Sequence, residues 1–85
     1  MQKSIYTKEQ KALIKTLRHI RKRANLSQSE LAAKLGKPQS FVSKYESGER
    51  RLDFLEIRSI CIAAKFSVKD FVELFERFLK EKHEA

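Results

Sequence analysis

Gln39, Ser40, Ser43 and Lys44 are spaced so that they could act together on another molecule. Set out at about 100° per residue they share one arc of a short helix, opposite Pro38, Phe41, Val42 and Tyr45. That arc holds no acidic side chain, whereas an ordinary solvated face usually mixes signs. Gln can pair bidentately with adenine, Lys can donate to O6 and N7 of guanine, and Ser hydroxyls serve either sense. The chemistry implied is recognition by hydrogen bonds rather than bond-making. Ser27 and Gln28 stand at another expected helix N-terminus, where free N–H groups and the positive end of the dipole hold phosphate.

The elements that must position these groups are marked by helix starts and stops. Thr7-Lys8-Glu9-Gln10, Ser27-Gln28-Ser29-Glu30, Asp53-Phe54-Leu55-Glu56 and Ser67-Val68-Lys69-Asp70 each place a small oxygen-bearing residue three before Gln, Glu or Asp, the pattern of a capping box. A further helix opens at Pro38, read as its first helical position because proline has no N–H to lose there. Asn25, Gly36 and Gly48 tolerate the left-handed conformation that closes a helix. The spans predicted are about 8–24, 28–35, 38–46, 53–64 and 68–81. The expected fold is all-α, one compact five-helix domain over residues 1–85 with its core at about 8–81. Helix one offers Leu13, Leu17, Ile20 and Ala24 to that core, and helix four is apolar nearly all round.

Composition narrows the function. The chain has 85 residues, a net charge of +8, two glycines and one proline. The charge is uneven, with residues 1–26 holding +7, residues 27–51 +2 and residues 52–85 −1. An anionic partner would therefore meet the N-terminal two-thirds. A single Cys61 forms no internal disulfide, the apolar run Ile60 to Ala64 is far short of a membrane span, and MQKSIYTKEQ lacks the apolar core of a signal peptide. These features predict a cytoplasmic protein with no membrane contact. His19 and His83 stand apart, and with one Cys nothing has metal-ligand spacing, so no metal and no cofactor are expected. No nucleophile and base stand together, which argues against an enzyme.

The two short helices around Gly36 and Pro38 carry more than composition does. Leu31 and Leu35 face inward one turn apart, Ala32 beside them lets the helices approach, Gly36 turns the chain, and Val42 and Tyr45 return apolar surface to the same core. LSQSELAAKLG followed by PQSFVSKYESGERRLD resembles the Cro/phage-repressor type of helix-turn-helix, the XRE family, with the match running from about Leu17 to Phe75. The resemblance implies a lambda-repressor-like domain with its helix-turn-helix at 28–46. It maps Gln39, Ser40, Ser43 and Lys44 onto the major groove, and Ser27, Gln28, Arg50 and Arg51 onto the DNA backbone, with Lys37 in the same phosphate set. It also implies a structural pair between Arg21 and Glu46. Lys65 stands where relatives place glycine, so that turn is expected to be strained or differently closed.

The expected activity is sequence-specific binding of double-stranded DNA by a homodimer on a near-palindromic operator, regulating transcription, a repressor among the possibilities. The C-terminal helix 68–81 is apolar over a broader arc than one-sided burial needs. Phe71, Phe75, Phe78 and Leu79, together with Ile62 of helix four, are the expected dimer interface. A protein-interaction module on the same scaffold, such as an antitoxin or a bridging coactivator, is the alternative.

Overall fold

The computed structural model describes residues 7–81, so residues 1–6 and 82–85 of the expected domain, His83 among them, lie outside the described residues. Five helices follow one another: α1 (Lys8–Arg23), α2 (Gln28–Leu35), α3 (Gln39–Ser47), α4 (Phe54–Ala63) and α5 (Val68–Lys80). Both halves of a capping box form at Ser27/Glu30 and at Asp53/Glu56, while Thr7 and Ser67 make the first half, accepting from the N–H of Gln10 and of Asp70. Pro38 departs from expectation. It is the N-cap, with ψ at 157°, and α3 begins at Gln39. Proline has no side-chain oxygen to cap with, so the leading N–H groups of α3 face outward without the lid the other helices have.

Four helices end the same way. Asn25, Gly36, Gly48 and Lys65 all take positive φ, at 65°, 69°, 89° and 57°. In each case the following N–H reaches back to the carbonyl five residues earlier, as in Leu26 to Arg21, Lys37 to Ala32, Glu49 to Lys44 and Phe66 to Cys61. The Lys65 turn is therefore closed like the other three and is strained, because a side chain at positive φ costs about 1–2 kcal/mol that glycine avoids. Lys65→Gly is expected to stabilise the protein by about 1 kcal/mol, after the extra freedom glycine brings to the unfolded chain, raising Tm by about 4–8 °C. A thermal melt showing no gain would mean the turn carries no strain. At Gly36 the same φ is the whole requirement, since an added Cβ would meet nothing within 4 Å.

The core joins every helix: Leu17 and Ile20 of α1, Leu31 and Ala32 of α2, Phe41, Val42 and Tyr45 of α3, Ile60 and Cys61 of α4, and Phe71 and Leu74 of α5. Ala32, 1% exposed, lets α2 lie directly on α3. Burial pushes the Cys61 thiol up to about 11, so it packs as a small apolar group and resists oxidation. Phe41 packs as well, edge-on to Tyr45 with ring centroids 5.5 Å apart, and is not offered to a partner.

Two expectations about the surface change. Phe71 lies in the protomer's own core at 5% exposure, and Phe78 is half-buried against the His19 ring, centroids 5.8 Å apart. The wide apolar arc of α5 thus in part seals α1, with Phe75 and Leu79 half-buried and Val72 left 48% exposed. Helix α4 is the more open of the two. It buries Ile60 and Cys61 but leaves Phe54, Leu55 and Ile62 at 61%, 70% and 58% exposure.

Candidate nucleic-acid interface

The short turn through Gly36 and Lys37 sets α3 across α2, so that the N-termini of both helices come to one side of the molecule. Gln39, Ser40 and Lys44 are exposed there and Ser43 is half-buried. Beneath them lies a chain of hydrogen bonds anchored in the interior. The Arg21 guanidinium, 8% exposed, donates from Nε to Glu46 Oε2 at 2.7 Å and from Nη2 to Glu46 Oε1 at 3.0 Å, while Nη1 donates to the Leu26 carbonyl at 2.9 Å. The hydrogen bond to Glu46 holds the Arg21 pKa above its ordinary value despite the opposing effect of burial. Gln28 Nε2 donates to Glu46 Oε1 at 3.0 Å, and Gln39 Nε2 donates to Gln28 Oε1 at 2.8 Å.

The order of this chain follows from donor and acceptor chemistry. An ionised Glu46 can accept but not donate, so Gln28 must turn its NH₂ inward and its oxygen outward. Gln39 must then present its own NH₂ to that oxygen. One amide proton of Gln39 is committed, which leaves the other N–H and the carbonyl oxygen: the donor and acceptor needed to pair with N7 and N6 of adenine. Gln28, expected as a backbone contact, therefore also aims Gln39.

The remaining site residues sort by what holds them. Ser27 uses its oxygen to cap α2, keeping its proton to donate, and the N–H groups of Gln28 and Ser29 have no acceptor within the helix. Ser43 Oγ donates to its own helix at the Ser40 carbonyl, 3.2 Å away, so it offers lone pairs outward until it rotates. Lys37 and Arg50 approach the ring of Phe41, at 5.4 Å and 4.8 Å from its centroid. Arg50 is also paired with Glu56, Nη2 to Oε2 at 3.1 Å and Nη1 to Oε1 at 3.3 Å, and donates to the Arg51 carbonyl. That contact holds the Glu56 carboxyl below the usual glutamate range. Arg50 thus belongs first to the scaffold, tying the α3–α4 loop to the start of α4, and any phosphate must share it. Arg51 and Lys37 are exposed. Arg18 has no part in the sequence reading; its Nη2 donates to the Glu46 carbonyl at 2.9 Å, and its Nε lies 3.7 Å from Glu46 Oε1. The sequence signal for this network was the placement of Glu46 at the edge of an arc otherwise free of acids.

This geometry has known counterparts. The helix-turn-helix family model HTH_3 matches residues 17–71. An XRE-family like protein from Pseudomonas syringae pv. tomato str. DC3000 is 42% identical, over 79% of this chain and 82% of that one, with a TM-score of 0.73. The chain belongs to the XRE family of helix-turn-helix proteins. The structure of the clp gene regulator ClgR from C. glutamicum is also similar, at 25% identity and a TM-score of 0.73 over 81% of this chain and 88% of that one. No curated protein matches. Family and neighbours together support a DNA-binding transcriptional regulator on the XRE-family scaffold. Among the described residues, no helix of this XRE-family protein is long and apolar enough to cross a membrane.

Proposed function

We propose that this protein is a cytoplasmic regulator that binds duplex DNA sequence-specifically as a homodimer, each protomer laying α3 into one major groove. Gln39, Ser40, Ser43 and Lys44 read base edges; Ser27, the backbone N–H of Gln28, Lys37 and Arg51, with Arg50 in part, hold phosphate. The observation that carries the reading is the Gln28–Gln39 bond, which spends one amide proton of Gln39 and leaves its base-pairing donor and acceptor aimed outward. Preorganised groups of that kind cost little ordering on binding.

A second copy is supported by the open face of α4, where Leu55 and Ile62 stand seven residues apart on one side, with Phe54 beside Leu55. A near-palindromic operator would then have half-sites one helical turn, about 34 Å, apart. The same apolar face favours the second reading, a module that docks another protein, as an antitoxin does.

Selection from a random duplex pool, with the mass of the protein and its complex measured in solution, separates these. Enrichment of a near-palindrome bound by two copies is expected. No enrichment over random sequence would refute the readout. On the selected duplex, Arg51→Ala is expected to weaken preferred and random DNA alike and to flatten the slope of log K against log salt by about 0.9. An unchanged slope would remove Arg51 from the phosphate set.

A further inference from the structure

Lys11, Lys15, Arg18 and Lys22 recur along α1 at spacings of four, three and four, and all are exposed. They line one wall of a groove of about 670 Å³, whose other sides include Glu46 and Ser47 at the end of α3 and Phe78 of α5. The acids nearby do not neutralise it. Glu46 is shared between Arg21 and Arg18, leaving one positive charge over, and Glu81 pairs with Lys15 at 2.8 Å. Among the described residues no ion pair engages Lys11 or Lys22, and four of the eight basic residues of 1–26 line this wall.

The groove is continuous with the reading face. At about 100° per residue Ser47 falls in the middle of the arc set by Ser40, Ser43 and Lys44, two turns beyond Ser40. Arg18 is fixed to the last turn of α3 through the Glu46 carbonyl. A ligand that follows the α3 arc to its end therefore runs onto α1. The cations are strung out rather than converging: from Lys11 to Lys22 the helix rises about 16 Å. One DNA strand advances about 3.4 Å along the axis per phosphate, so this length faces roughly five phosphates. A small anion would engage one or two of these side chains; a polyanion of regular spacing engages the row.

We infer that this stripe is a second anion-binding surface, taking the sugar-phosphate backbone of the duplex beyond the segment read by α3. The inference rests on the DNA-binding reading and extends it to residues outside the helix-turn-helix. Its role is affinity and register, without choice of sequence.

The test uses the full chain and the duplex recovered from the random pool. Lys11→Gln with Lys22→Gln should retain the wild-type melt, since both side chains are exposed. It should flatten the salt slope by roughly 0.9 per lost contact, weaken preferred and random duplex equally, and leave the selected sequence unchanged. Lys65→Gln with Lys69→Gln removes the same charge from positions that line neither the groove nor the α3 arc, and should alter the slope much less. Equal slopes in the two double variants would overturn the inference. So would shifts at Lys11 and Lys22 on titration with poly-glutamate but none with the duplex, which would assign the groove to an acidic protein. A wild type that binds no duplex at any salt would instead overturn the DNA reading itself, and the stripe's assignment with it.

Discussion

Glu46→Ala is expected to destabilise the fold by about 3–5 kcal/mol, a third or more of the stability a domain of this size holds. The cost comes from what is left behind. Arg21 donates three hydrogen bonds in the interior, two of them to Glu46, and at 8% exposure it cannot recover them from water. Its pKa is far too high for it to shed the charge instead. Arg18 and Gln28 lose an acceptor in the same step. Urea unfolding followed by circular dichroism checks the figure, and a loss below about 1 kcal/mol would mean that water already screens the pair. A second variant separates stability from function. In Arg21→Met/Glu46→Leu the buried charges go together, and such exchanges are often neutral or stabilising. That protein should melt near the wild type, yet Gln28 would have no carboxylate to hold it and sequence preference should fall. A stable double variant with full preference would show that the pair is scaffold alone.

Much of this architecture is legible in the residues because local rules decide it. The caps at Ser27 and Asp53, and the stops at Asn25, Gly36 and Gly48, each depend on side chains within a few positions, and all five lie where the spacing puts them. What escapes is set by distant partners. Pro38, read as a first helical residue, is instead the cap, a difference of one position that no side-chain bond marks. Phe71 and Phe78 read as surplus apolar surface because the sequence does not show how much of α5 the flank of α1 covers. Arg50 reads as a phosphate ligand until Glu56, six residues on, is folded back against it. At the reading face the residue types are plain in the sequence, but the relay from Arg21 through Glu46 and Gln28 to Gln39 joins three helices.

That relay makes the second large prediction. Gln39→Ala should cost about 1–3 kcal/mol on the preferred duplex, roughly 5- to 150-fold in Kd, and little on random DNA, because the loss is of base pairing and not of charge. Gln28→Ala should cost a comparable amount on the preferred duplex, for a different reason. Gln39 would keep its amide but lose the acceptor that fixes its orientation, so the ordering that the folded protein now supplies would fall on the binding step. If Gln28 acts through Gln39, the double variant should lose less than the two single losses added together, with a coupling of about 0.5–3 kcal/mol, since contacting residues in one network are not independent. Binding isotherms for the four proteins on preferred and random duplexes give the cycle. Strict additivity would mean that Gln28 meets phosphate on its own account and does not aim Gln39. An equal loss on random DNA for Gln39→Ala would take base reading away from α3 altogether. The melts of all three variants should match the wild type within about 1 kcal/mol, because the Gln28–Gln39 bond is exposed and the Arg21–Glu46 pair beneath it survives.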